Sequence, residues 1–254
     1  METITLTFGD CAENHRGMQA IGGMAESGLS GADLEMAKEW FEKKGKVCEM
    51  IDLRSLLPEG EREKAGEAFL LIVKDGCDAV VDKVALTVEQ NTLERDTKAF
   101  MYGRVVNKKA RHNLCFSDFD QVADYEKKKG TVVSFEKLPV LAAIRSVLPE
   151  ICGKKVENLQ CEANYYYDVK KTYIGFHGDT ERRIVVAFRL GAAFPIHYQW
   201  FKESKPVGVL LTKMLNGGDV YFMSEKAVGF DWKRKKIYTL RHAAGPEKLV
   251  KKWK

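Results

Sequence analysis

Residues 174–191 read IGFHGDTERRIVVAFRLG: one apolar run closes on Phe176-His177-Gly178-Asp179-Thr180 and a second begins at Ile184. A His and a carboxylate two residues apart, set between two strands, converge on one point when the backbone turns between them. From Asn158 onward the texture is β. Apolar runs at Tyr165–Val169, Ile184–Leu190, Ile196–Phe201, Val207–Leu215, Val220–Met223 and Ile237–Leu240 are separated by clusters of Gly, Pro and charge. Many short strands at this spacing predict a sandwich or barrel rather than a βαβ sheet.

Toward the N-terminus, Thr3–Phe8 alternates like a strand, Ser30 is placed to cap a helix running through Trp40 and Phe41, and Lys46–Leu53 and Ala68–Val73 look like further strands. That order predicts a small α/β lobe over residues 1–97, without the spacing of a phosphate loop. A polar helix over Val84–Asp96, a strand over Ala99–Val106, a charged loop at 120–130 and a helix over Leu138–Leu148, ending before Pro149, are expected next. The expected class is α+β, with residues 98–254 forming the second domain.

The chain of 254 residues is 45% hydrophobic and 30% charged, which excludes a disordered protein. The opening METITLTFGD lacks the layout of a signal peptide and no stretch of eighteen apolar residues occurs, so a soluble, intracellular, cytoplasmic protein with no membrane contact is expected. The six cysteines have neither CxxC nor zinc-like spacing and read as small buried hydrophobes. Charge is unevenly distributed. Residues 1–100 hold 12 Lys and Arg against 20 Asp and Glu, whereas residues 101–254 hold 29 against 16. The basic part suits a polyanionic partner; a lysine-rich solvated surface is the plainer reading of the same count.

A His-x-Asp pair alone is commonly a turn with a hydrogen-bonded His. Its weight here comes from His242, which ends the run Tyr238–Ala244 several strands later and supplies the second imidazole of a two-His-one-carboxylate face. His197 in an alternating strand, His112 and His15 have no ligand spacing. Arg183, which begins the strand after the pair, is a candidate to orient Asp179.

In this order the motifs resemble the AlkB-like branch of the 2-oxoglutarate and Fe(II)-dependent dioxygenases, over roughly Ala99 to Pro246. Asn164-Tyr165-Tyr166 looks like the family's Asn-x-Tyr, and RIVVAFRLG at 183–191 is similar to its strand ending in Leu-Gly. LLTKMLNGGDVYFM at 210–223 resembles the strand, Gly-Asp turn and strand that follow. Asp231-Trp232 echoes an Asp-Trp before the distal His, and His242 with Pro246 looks like that ligand and its turn.

The resemblance implies a double-stranded β-helix (jelly-roll) core with flanking helices, Fe(II) on His177, Asp179 and His242, and 2-oxoglutarate bound by Asn164 and Tyr166. Members place an Arg after the distal His for the far carboxylate of 2-oxoglutarate; this chain offers Lys248 or Lys252. In a second alignment, KKIYTLR matches that terminal strand, Arg241 takes the carboxylate, and His242 is not a ligand, leaving Asp231 or no metal at all. Arg104–Arg111, running on to Asp118, resembles the nucleotide-recognition lid, with Lys108, Lys109 and Arg111 on phosphates and Tyr102, Tyr198 and Trp200 stacking on the base. Tyr198 and Trp200 read equally well as core residues of an alternating strand.

The implied activity is oxidation of bases in single-stranded or base-flipped nucleic acid, by O₂-dependent demethylation or hydroxylation. The same core acting on a protein or small molecule, and a silent nucleic-acid-binding module, are the alternatives.

Overall fold

Alternation in the first strand organises the molecule. In β1 (Thr3–Gly9), Ile4, Leu6 and Phe8 point one way and Thr3, Thr5 and Thr7 the other, and all six are buried. The computed structural model describes residues 1–250. After β1 come β2 (Cys11–Glu13), β3 (Ala20–Gly22), α1 (Gly31–Lys43), β4 (Cys48–Asp52), α2 (Arg62–Ala65), β5 (Phe69–Val73) and α3 (Lys83–Asn91). The middle of the chain holds β6 (Lys98–Met101), β7 (Arg104–Asn107), β8 (His112–Ser117), β9 (Val132–Ser134), α4 (Pro139–Cys152) and β10 (Gln160–Tyr166). It closes with β11 (Ile174–His177), β12 (Val185–Gly191), β13 (Phe194–Lys202), β14 (Lys205–Leu215), β15 (Val220–Met223), α5 (Glu225–Val228), β16 (Thr239–Ala244) and α6 (Glu247–Val250).

The fold is mixed α/β, dominated by two sheets. The larger runs β4-β5-β15-β12-β1-β10-β8-β9 and the smaller β11-β16-β13-β14; every pairing in them is antiparallel except β8 with β9. One face of the large sheet is covered by helices: Ile4, Leu6 and Phe8 share a core with Leu34 and Phe41 of α1 and Leu141, Ile144 and Leu148 of α4. The other face meets the small sheet, where Leu70, Ile72, Val185, Ala187 and Met223 pack against Ile196, Tyr198, Trp200 and Leu240. Each fully buried large apolar side chain contributes about 1.5–3 kcal/mol, so these two layers carry the stability.

Residues 1–97 are not set apart from the rest. β1 lies between β10 and β12, and β5 pairs with β15, so three of the eight large-sheet strands come from the N-terminal part. The expected strand over Ala99–Val106 is a hairpin of β6 and β7, turning at Tyr102 (φ 54°) and Gly103 (φ 76°). Two consecutive positive φ values are what a tight two-residue hairpin turn requires, and Gly103 supplies the second without strain. The helix expected over Val84–Asp96 is α3, capped by the Asp82 carboxylate and finished by Asn91. Helix α4 runs through Pro149 instead of stopping before it, its last turn held by buried Ile151 and Cys152. All six cysteines are free, and only Cys48 is not fully buried. No helix among the described residues is long and apolar enough to cross a membrane.

Candidate functional site

His177 ends β11 and its register partner on β16 is His242; the two rings lie 4.4 Å apart between centroids. Asp179 follows two residues beyond the strand, its amide donating to the Val228 carbonyl (3.1 Å). The turn between them depends on Gly178, where a Cβ would stand 2.2 Å from the Gly229 carbonyl oxygen and 2.8 Å from Trp232 Cβ. Asp179 Oδ1 is thereby 3.3 Å from His177 Nε2 and 3.6 Å from His242 Nε2. One ligand atom from each residue lies within 4.8 Å of the others, the grouping a divalent ion needs.

The surroundings set the orientation and charge of each group. His177 Nδ1 is 2.8 Å from the Gly175 carbonyl oxygen. A carbonyl only accepts, so Nδ1 carries a proton and Nε2 is the nitrogen turned toward the site. Burial, with His177 adjacent, pushes the His242 pKa down to about 3, keeping that imidazole neutral. Burial opposes ionisation of Asp179, but the Arg182 guanidinium, the strongest opposing influence, holds the carboxyl below its ordinary range. Arg182, nearly inaccessible, donates to Glu162 (2.6 Å) and lies 3.4 Å from Asp179 Oδ2. It takes the orienting part expected of Arg183, whose guanidinium instead stacks 4.3 Å over Phe230 and pairs with Glu225 (3.6 Å).

These groups open into a cavity between the two sheets. Its wall on the large sheet is the polar phase of the strands, with Thr5 and Thr7 from β1, Glu162, Asn164 and Tyr166 from β10, and Arg189 from β12. The register sets Arg189, Thr5, Asn164 and Asn113 side by side across four strands. Asn164 Oδ1 accepts from Arg111 Nε and Asn113 Nδ2 (2.9 Å), while its amide donates to Glu162 (2.7 Å). Tyr166 packs its ring 4.6 Å from Phe194. The mouth carries His15, Arg16, Glu13, Glu181 and Trp232.

Several expected residues lie elsewhere. Arg241 alternates with His242 and lies over Phe201 (3.9 Å) and Trp232 (5.0 Å), so it does not replace His242. Asp231 is bonded to Lys226 (2.5 Å) and is no part of the group. Lys248 is exposed on α6 and does not line the cavity; Lys252 lies outside the described residues. Tyr198 and Trp200 are fully buried on the inner phase of β13, Trp200 Nε1 donating to the Leu53 carbonyl (2.8 Å), so neither stacks on a substrate. Lys108 turns inward onto Asn113 Oδ1 (3.0 Å) and the Asn14 carbonyl (3.1 Å), and burial pushes its pKa down to about 7. Tyr102 is 89% exposed at the hairpin tip, and Lys109 is exposed. His197 is a core residue between Thr212 Oγ1 (2.9 Å) and the Gly245 carbonyl (2.7 Å). Arg182 and Arg189 are the site residues that sequence reasoning missed.

No family model matches the chain. An uncharacterized protein of Acanthamoeba polyphaga mimivirus is 49% identical over 250 residues, which cover 98% of this chain and 98% of the viral protein. With identity of that order along nearly the whole of both chains, the protein belongs to one family with this mimivirus protein.

Proposed function

We propose that this protein is an AlkB-like dioxygenase that uses Fe(II), 2-oxoglutarate and O₂ to oxidise a base in nucleic acid, built on a double-stranded β-helix core. The observation that carries the reading is the convergence of His177 Nε2, Asp179 Oδ1 and His242 Nε2 beside a cavity that leaves the remaining side open. Two imidazoles and one ionised carboxylate are the donor set suited to non-haem iron. Bound there, iron with 2-oxoglutarate supplies oxidising power for hydroxylation of a C–H bond, with succinate and CO₂ as by-products.

The chain's own contribution is positional. The Gly175 carbonyl fixes the His177 tautomer, and Arg182 keeps Asp179 ionised and oriented. The wall of Thr5, Asn164, Tyr166 and Arg189 offers polar atoms to a co-substrate. Nucleic acid as substrate is supported by the exposed Arg16 lining the cavity, and by a hairpin whose tip presents the exposed Tyr102 beside the exposed Arg104. An exposed aromatic next to a cation is the equipment for base stacking and phosphate contact.

Anaerobic titration with Fe(II) and then 2-oxoglutarate tests the reading: a weak visible charge-transfer band is expected, lost in His177→Ala. No band at saturation would overturn it. Binding of a single-stranded oligonucleotide is expected to weaken steeply with salt, and a flat response would remove nucleic acid as the substrate.

A further inference from the structure

Arg189 is the most deeply enclosed cation of the cavity. Its side chain has no exposure, and its Nε and Nη1 have no hydrogen-bond partner. It makes no salt bridge among the described residues. The nearby Asp219 is already engaged, accepting from Lys74 (2.9 Å) and from the amides of Asp75 (3.0 Å) and Asn216 (2.9 Å). What surrounds the guanidinium is the Phe194 ring (5.4 Å to its centroid), with Tyr166 and Tyr221 close by and Thr5 as its strand partner.

A guanidinium does not shed its proton at any ordinary pH. Buried without a counter-ion, it destabilises the ligand-free protein. A planar fork of donors with two nitrogens unsatisfied matches one chemical group above others, a carboxylate received edge-on. The cavity containing Arg189 also contains His177, Asp179 and His242, so one small molecule reaches both.

Resting on the function proposed above, we infer that Arg189 anchors the far carboxylate of a five-carbon dicarboxylic 2-oxo acid whose other end binds the metal. The anchor thus sits on β12, the strand entered directly after Asp179, and not beyond His242. Arg241 is occupied by aromatic rings and Lys248 faces solvent, so neither competes for the part. The pocket is correspondingly selective for dicarboxylic over monocarboxylic 2-oxo acids.

Calorimetric titration with Mn(II), which supports binding without turnover, followed by 2-oxoglutarate, reads the metal and the anchor separately. Arg189→Met is expected to leave Mn(II) affinity unchanged, to weaken 2-oxoglutarate by about a hundredfold, and to raise the thermal midpoint of the ligand-free protein. Arg189→Lys recovers part of the affinity; Arg241→Met and Lys248→Met keep all of it. Wild-type affinity in Arg189→Met would overturn the assignment. In the unaltered protein, 2-oxobutyrate, which lacks the far carboxylate, should bind weakly, and binding as tight as that of 2-oxoglutarate would overturn it equally. If Mn(II) does not bind at all, the metal reading fails; a thermal shift by glutarate that Arg189→Met abolishes still supports the anchor, and no shift removes both.

Discussion

The two faces of the large sheet are made by the same strands and differ in almost everything else. On the helix side, β1, β10 and β12 present Ile4, Leu6, Phe8, Cys161, Ala163, Val186 and Phe188 to a continuous apolar core. One residue out of phase, they present Thr5, Thr7, Glu162, Asn164 and Arg189 to a cavity. The difference teaches that period-two alternation here separates stability from chemistry: the helix side holds the sheet together, and the cavity side retains polar groups that folding alone would not select.

The largest effect that sharpens this contrast is on the cavity side and leaves stability alone. His177→Ala or Asp179→Ala should weaken Mn(II) binding by more than about a hundredfold and abolish succinate release, with little change in the urea midpoint of the metal-free protein. On the helix side, Phe188→Ala should cost about 3–5 kcal/mol in urea denaturation, whereas Thr5→Val on the cavity side should stay within about 1 kcal/mol. Equal losses at the two positions would break the comparison. Gly178→Ala tests the join between the His177–Asp179 turn and the core, because its Cβ has no room beside the Gly229 carbonyl. A loss of about 1–3 kcal/mol, with weakened metal binding, is expected.

Lys108 gives a pH test. Its folded pKa, near 7, lies below the unfolded value, so between about pH 7 and 10.5 the unfolded chain holds more protons and stability rises with pH. Lys108→Met should flatten that part of the profile relative to the unaltered protein. The smallest stability effect belongs to Tyr102→Asn, which suits the hairpin turn: thermal stability should move by less than about 0.5 kcal/mol, while oligonucleotide affinity falls by about 1–3 kcal/mol.

Legibility followed locality. The convergence of the His177–Asp179 pair with His242 was readable because the pattern asks for particular residue types in a particular order, and the histidines are few. The β runs between Ile184 and Met223 were readable from alternation, each within two residues of an observed strand, whereas Tyr165–Val169 and Ile237–Leu240 overlap β10 and β16 by only two residues each. The place of β1 was not, since pairing with β10 and β12 is a contact across more than 150 residues that no local pattern encodes. Tyr198 and Trp200 were ambiguous because alternation shows that they share a phase without showing which phase is buried. Arg189 left a signal that was passed over: it is the only charge within VVAFRLG, in phase with buried Val185 and Ala187. A charge in the buried phase of an apolar strand is the pattern that would have found it.

The position of β1 also bears on how the chain is made. Of the described strands, β1 has the longest interval between its own residues and its second neighbour: Thr3 pairs with Tyr166 on one side and Gly191 on the other. Until residue 191 has been synthesised, Ile4, Leu6 and Phe8 have no completed sheet to enter. Closure of the large sheet is therefore a late and largely collective event, with the apolar phase of β1 held in waiting while more than 150 further residues are added.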